Sequence, residues 1–245
     1  MKNIKLIIEY DGTAYCGWQY QPNGPSIQQI IEDALLRLTG EAVRLHGSGR
    51  TDAGVHALGQ VANFHTESKI PPVVFGRALN QLLPDDISVI SSCRVSDEFH
   101  SRFDARGKQY RYLIFNRQER SPFYENKAYR YGKEIDLAKM KTAAGYFKGA
   151  HDFRGFMASG SDVADTLRTI HGIDIDHNGD LIGIDIIGSG FLYNMVRIIC
   201  GTLLECGIGK REPSEIPNVI MSGDRRAAGR TLPAHGLYLV KVVYD

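Results

Sequence analysis

The chain writes the order strand–helix–strand–strand–helix–strand twice, and that repetition limits its fold more than any other feature. In the first half Ile4, Leu6, Ile8 and Tyr10 alternate at the period of a strand. Ser26-Ile27-Gln28-Gln29 has the form of a capping box and opens a helix with Ile27, Ile30, Ile31, Ala34, Leu35 and Leu38 on one face, closed by Gly40. Strands are expected near Val43–His46 and Gln60–Thr66. Pro71-Pro72 starts a second helix with Val74, Phe75, Ala78, Leu79 and Leu82 inward, ended by Pro84, and Ile87–Val95 reads as the next strand. This is the split, ferredoxin-like arrangement.

The second half has the same rhythm without a residue-level repeat. Lys108–Phe115 alternates as a strand, and Asp136 caps a helix carrying Leu137, Met140, Ala143 and Phe147. Thr166–Asp176 and Leu181–Ile187 read as a hairpin with Asn178-Gly179 as a type I′ turn. Phe191–Cys206 reads as a long helix with Leu192, Met195, Val196, Ile199 and Leu203 inward, and Leu237–Tyr244 as a closing strand. The expected class is α+β: two ferredoxin-like (RRM-like) halves with mainly antiparallel sheets, residues 1–105 and 106–245. No Ser/Gly-rich linker separates them, so the junction near residues 100–106 is read as continuous sheet or a tight joint.

At 245 residues and 43% hydrophobic, the chain can bury a core or two. No apolar run is long enough to span a membrane. The start leads straight into a strand pattern, so no signal peptide is expected. Cys16, Cys93, Cys200 and Cys206 form no C-x-x-C pair and are read as reduced thiols of a cytoplasmic protein. The eight histidines lack metal-ligand spacing, so no metal site is expected. A net charge of +1 makes no global case for nucleic acid, and any such case must be local.

One local stretch bears on chemistry directly. Gly47-Ser48-Gly49-Arg50-Thr51-Asp52-Ala53-Gly54-Val55-His56-Ala57 has three glycines in eight residues and favours a tight loop whose backbone can approach a ligand closely. In it the Asp52 carboxylate stands two residues from the Arg50 guanidinium. A carboxylate beside fixed positive charge stays ionised and can be aimed at a substrate. The loop is neither a P-loop, which ends in Gly-Lys-Ser/Thr, nor a dinucleotide fingerprint, whose third glycine is here Asp52. By composition alone it reads equally well as a surface turn.

Three other stretches stand out. From 102 to 111 four basic residues face one acid, with aromatics interleaved, as on RNA-contacting surfaces; a charge-solubilised edge strand gives the same pattern. In Phe191–Arg197, Arg197 shares a helix stripe with Tyr193 and Asn194. In Leu232–Leu239, His235 reads as a general acid or a turn residue, and Arg225, Arg226 and Arg230 either touch phosphates or are solvated.

As whole strings these segments resemble the tRNA pseudouridine synthase A family. The strongest match is the run Gly47–Ala57. Glu9-Tyr10-Asp11-Gly12-Thr13, Arg102–Ala105 with Tyr110-Arg111-Tyr112, His151-Asp152-Phe153, Thr166–Ile170, Phe191–Arg197 and Gly236–Leu239 extend it over the full chain. Ile198 departs from the asparagine frequent in the family, which touches a peripheral contact only. The resemblance implies a pseudouridine synthase fold with Asp52 as the essential catalytic residue and Arg197 as its partner. It places Tyr110 against the target base and Leu237 against the uracil, and Arg50 is assigned to substrate binding. It implies isomerisation of uridine to pseudouridine at positions 38, 39 and 40 of the tRNA anticodon arm, without a cofactor, by a homodimer with a basic cleft. An RNA-binding module without catalysis, and a nucleoside hydrolase or phosphotransferase, are the rivals. The first needs no Asp–Arg pair, and the second lacks its expected Asp-rich metal site or P-loop.

Overall fold

The computed structural model describes residues 1–160 and 163–245. Its contacts fall into two units, Met1–Arg106 with Tyr238–Asp245, and Gly107–Leu237.

The first unit contains β1 (Lys2–Tyr10), α1 (Ile27–Thr39), β2 (His46–Gly47), β3 (His56–Thr66), α2 (Phe75–Leu79) and β4 (Ile87–Val95). β1 is antiparallel to both β3 and β4, and β2 lies antiparallel on β3, so the order β4-β1-β3-β2 is that of a ferredoxin-like sheet. The strand alternation does what its period implies: Ile4, Leu6, Ile8 and Tyr10 are all buried. Full burial of each such side chain is worth about 1.5–3 kcal/mol relative to exposure. Ser26 caps α1 by accepting from the Gln29 N–H, and Gly40 ends it. The buried stripe is Ile27, Ile31, Ala34 and Leu35, while Ile30 and Leu38 are only half-buried.

Two expected elements are shorter in the structure. The strand expected at Val43–His46 is reduced to His46–Gly47. Side chains of α1 take the backbone groups of Leu45: Glu32 accepts its N–H at 2.8 Å and Gln28 donates to its carbonyl at 3.2 Å. The second helix begins as a 3₁₀ turn at Pro72–Val74 and lasts only from Phe75 to Leu79. The Asn80 side-chain amide then pairs with both backbone groups of Val89, which ends the helix against β4.

The second unit contains β5 (Gly107–Phe115), β6 (Tyr129–Arg130), α3 (Leu137–Gly145), β7 (Gly149–Asp152), β8 (Leu167–Asn178), β9 (Leu181–Gly188), α4 (Met195–Gly207) and α5 (Ile216–Ser222). β5-β9-β8-β7 is an antiparallel sheet, with β6 parallel on β5. Tyr112, Ile114, Ile182, Ile184 and Ile186 form its buried face, and Met140, Ala143, Phe147, Ile199 and Leu203 complete the core. β6, β7 and α5 leave no clear periodic signal, being two, four and seven residues long. Asn178 pairs with Leu181, so Gly179 and Asp180 are the turn centre. Only Gly179 has positive φ (60°), which corrects the type I′ expectation, since that turn needs positive φ at both central residues. α4 starts at Met195 and not Phe191, because Asn194 sits in the left-handed region with φ 60°. β10 (Leu237–Val243) returns to the first unit, with Tyr238 and Leu239 parallel to His56 and Ala57 of β3. Among the described residues no helix is long and apolar enough to cross a membrane, and all four cysteines are free thiols.

Near the end of α4 the buried Glu205 binds Lys210 Nζ at 2.8 Å and Arg211 Nη2 at 3.2 Å. Burial alone would raise its pKa, but the two cations outweigh it and hold the carboxyl below its ordinary 4.5. A depressed folded-state pKa contributes stability above the unfolded value, and that stability is lost as pH falls through the folded one. Glu205→Gln is therefore expected to lower unfolding free energy by about 1.5–3 kcal/mol at pH 7, the scale of lost hydrogen bonds to a charged group. The gap to wild type should close as pH drops below the ordinary glutamate range, read from urea midpoints. A gap independent of pH would disprove the ionic account.

Candidate active site

The glycine-rich loop is held from two sides. Toward β3, the Ser48 N–H donates to the Val61 carbonyl at 2.7 Å and its hydroxyl to Gln60 Oε1 at 2.6 Å, while Gln60 Nε2 donates to the Gly49 carbonyl at 2.9 Å. From the other side the end of β1 and the segment after it clamp Thr51, the residue before Asp52. The Trp18 N–H donates to the Thr51 carbonyl at 3.0 Å, and the Tyr10 hydroxyl lies 2.7 Å from Thr51 Oγ1. Gly17 lies so close that a Cβ there would stand 2.5 Å from the Thr51 carbonyl oxygen and 3.0 Å from the Asp52 carbonyl carbon. The Val55 N–H closes the turn onto the Asp52 carbonyl at 3.1 Å. His56 is buried; its Nδ1 accepts from the Gly12 N–H at 3.1 Å and lies 3.0 Å from Asp11 Oδ1, and its ring stacks on Tyr238 at 4.7 Å.

The loop thus presents a half-buried Asp52 and an exposed Arg50 on a backbone fixed by neighbours. Tyr10 and Gly12 were visible in the sequence as parts of a motif, but nothing in their pattern showed that they hold this loop. Burial pushes the Tyr10 phenol well above the ordinary tyrosine range, so it remains neutral. Tyr10→Phe leaves the buried Thr51 hydroxyl without that partner. It is expected to lower stability by about 1–2 kcal/mol and to speed hydrogen exchange at the Val55 amide. Unchanged Val55 protection would show that the clamp does not depend on this hydroxyl.

The other candidate residues lie in the second unit. Tyr110 is buried on β5 opposite Ile186, with its ring edge-to-face on Phe191 at 5.2 Å. Arg197, in the first turn of α4, donates from Nε to the Leu232 carbonyl and from Nη1 to Asn194 Oδ1, both at 2.6 Å. The left-handed Asn194 that shortens the helix also orients the guanidinium. The Leu232 N–H in turn donates to the Arg197 carbonyl at 3.3 Å, tying α4 to the segment that ends at Leu237. That segment turns as a 3₁₀ helix over Ala234–Gly236, and the Tyr112 hydroxyl donates to the Pro233 carbonyl at 2.8 Å. Leu237 is buried. His235 falls in the turn, and burial, with Arg197 adding and Glu125 opposing, keeps its imidazole below the ordinary value. Arg225 uses its donors on the Gly229 carbonyl and Thr231 hydroxyl, Arg226 pairs with Asp224, and Arg230 reaches Tyr129. Among the described residues no three His, Cys, Asp or Glu are grouped as a metal site.

A family described as tRNA pseudouridine synthase matches residues 6–104 and 143–245. The chain is 51% identical over 245 residues to the tRNA pseudouridine synthase A of Ruminiclostridium cellulolyticum, covering 100% of both chains. It is 52% identical over 244 residues to that of Acetivibrio thermocellus, again covering 100% of both. With that of Citrifermentans bemidjiense the identity is 49% over 246 residues, covering 100% of this chain and 98% of the other. A crystal structure of the archaeal box H/ACA sRNP Nop10–Cbf5 complex overlaps 82% of this chain and 43% of that one, at 12% identity and a TM-score of 0.38, too low to carry an argument. The family match over both halves of the chain, and the identity maintained from end to end, mean that this chain belongs to the tRNA pseudouridine synthase family.

Proposed function

We propose that this chain isomerises uridine to pseudouridine at positions 38, 39 and 40 of the tRNA anticodon stem-loop, with Asp52 as the catalytic carboxylate. What supports the reading most is the run Gly47–Ala57, in which Asp52 stands on a turn whose neighbours on both sides are hydrogen-bonded to β1 and β3 or to the segment between β1 and α1. A group that acts on reacting atoms must be held in place before substrate arrives.

In this reading the glycosidic C1′–N1 bond breaks and its electron pair leaves with the uracil. Asp52 drives the step by attacking C1′, or by removing the C2′ proton. The freed uracil turns so that C5 forms the new bond to C1′, expelling the Asp52 carboxylate in the first case, or adding to the C1′–C2′ double bond as the proton returns to C2′ in the second. The C5 proton is then removed and N1 is protonated, so no atom is gained or lost and no cofactor is needed. One carboxylate suffices where glycosidases use two, because uracil leaves as a delocalised anion. Arg197 serves as the charge partner of Asp52, Tyr110 and Leu237 contact the base, and Arg50 binds the RNA chain beside it. A stacked uridine must be flipped out to be reached. Acting as a homodimer, a nearly neutral chain can concentrate positive charge in a cleft.

The test uses tRNA tritiated at uridine C5, in buffer containing a chelator and no cofactor. The wild type is expected to release tritium from tRNAs carrying uridine at 38, 39 or 40, and to release none when all three are cytidine. Release that ignores this replacement would overturn the assigned positions.

A further inference from the structure

The loop after β4 holds an aromatic ring in the open on a rigid support. Phe103 is 73% exposed, yet the backbone around it is fixed. The Asp104 N–H donates to the His100 carbonyl at 3.1 Å, the His100 N–H to Asp104 Oδ2 at 2.9 Å, and the Arg102 N–H to His100 Nδ1 at 3.1 Å. The fully buried Ser101 anchors the turn. Its N–H donates to Asn63 Oδ1 at 2.9 Å, its hydroxyl to the His46 carbonyl, and its carbonyl accepts from the Tyr244 hydroxyl at 2.6 Å.

A lone exposed apolar side chain is ordinary. Phe103 differs because its ring continues a row of rings. His100 lies 4.3 Å from it at 36°, and His46 lies 5.1 Å from His100. The Arg102 guanidinium stands 5.7 Å from the Phe103 centroid. Among the described residues, Arg102 and Arg44 have no carboxylate partner, whereas Arg94 and Arg106 of the same unit pair with Asp97 and Asp245. The acids near the row are already engaged: Asp104 with the His100 N–H, and Glu32 with the Leu45 N–H.

We propose that Phe103, backed by His100, is a stacking platform for an unpaired base of the RNA substrate, with Arg102 and Arg44 available to the flanking phosphates. The inference rests on the tRNA-modifying reading above and adds to it a contact outside the candidate catalytic residues. Every base has a π-face, so a platform of this kind accepts any unpaired nucleotide. Guanidinium groups without carboxylate partners are suited to phosphate oxygens. Burial, with His100, Arg44 and His65 nearby and Glu32 opposing, keeps His46 below its ordinary pKa, so at neutral pH it packs against His100 as an uncharged, tilted ring.

The test compares wild type, Phe103→Ala, Phe103→Trp and Arg102→Gln for binding to tRNA over a salt series, alongside tritium release. Phe103→Ala is expected to weaken binding about tenfold, the scale of one lost base–aromatic stack, with the salt slope unchanged. Arg102→Gln should weaken binding and lower that slope by about one. In Phe103→Trp, affinity should be retained and the new exposed indole quenched by RNA, against a background Trp18 that is only 3% exposed. Wild-type affinity in Phe103→Ala, while the wild type still releases tritium, overturns the platform and leaves the activity standing. Loss of affinity that accompanies dissociation of the protein in sedimentation also overturns it, assigning the ring to a contact between copies. A wild type that binds RNA through Phe103 but releases no tritium overturns the activity alone.

Discussion

Asp52→Asn is expected to reduce tritium release from C5-labelled tRNA by about 10³-fold or more, the scale found when a single group acting on reacting atoms is removed. Binding of tRNA should stay within about threefold of wild type, since recognition is spread over many phosphate and base contacts. The amide matches the carboxylate in shape but carries no negative charge, so it can neither attack C1′ nor remove the C2′ proton. Several of the bonds that shape the loop run through main-chain atoms and through Tyr10 rather than through the carboxylate. The Val55 N–H binds the Asp52 carbonyl, the Trp18 N–H binds the Thr51 carbonyl, and Tyr10 holds the Thr51 hydroxyl. The circular dichroism spectrum at the assay temperature should therefore remain that of the wild type, which separates lost chemistry from lost structure. Turnover at the wild-type rate would remove Asp52 from the reaction and favour a module that only binds RNA.

How much of this was legible in the sequence depended on the range of the interactions involved. α1 was readable because its signals are local: the Ser26 cap, the apolar stripe and Gly40 lie within fifteen residues. β2 is shorter than its pattern because Glu32 and Gln28, on the preceding helix, take the Leu45 backbone groups that a strand ladder would use. α2 ends before its apolar pattern does, because the residue that stops it, Asn80, binds Val89 on β4. α4 starts four residues later than its pattern, because Phe191–Asn194 continues the apolar stripe while Asn194 adopts positive φ. The candidate site divides in the same way. The glycines and charges around Asp52 mark a tight loop, but only the matching string distinguishes it from a surface turn. That Tyr10, Gly12, Gly17 and Trp18 clamp it is invisible in any periodicity, since the partners lie about forty residues away and act largely through the backbone. The roles of Tyr110, Arg197 and Leu237 came from matching strings alone, because a tyrosine on a strand and an arginine on a helix are ordinary by composition.

Gly12→Ala should be the most damaging small substitution in this clamp. Gly12 opens the 3₁₀ turn capped by Asp11, whose Oδ1 accepts from the Thr13 N–H at 3.1 Å and from its hydroxyl at 2.6 Å. A Cβ at position 12 would stand 2.0 Å from the Val55 carbonyl oxygen and 2.7 Å from its carbon. Both are main-chain atoms of a residue only 1% exposed, so no side-chain rotation relieves the contact. The segments must separate by about 1 Å, which strains the bond from the Gly12 N–H to His56 and the one from the Val55 N–H to Asp52. Overpacking of this kind costs about 3 kcal/mol, or roughly 6–12 °C in melting temperature for a chain of this size. Displacing a reacting group by about 1 Å costs on the order of 10²-fold in rate, so tritium release should fall even below the melting transition. Gly145→Ala is the control: it lies at the end of α3 with nothing within 4 Å of the added methyl group. It should leave both quantities unchanged or raise stability by about 0.5–1 kcal/mol. If Gly12→Ala melts and turns over like Gly145→Ala, the close approach of the two segments does not hold Asp52. If Gly12→Ala loses rate at a temperature where its circular dichroism is still native, the clamp acts on the position of the carboxylate and not only on the survival of the fold.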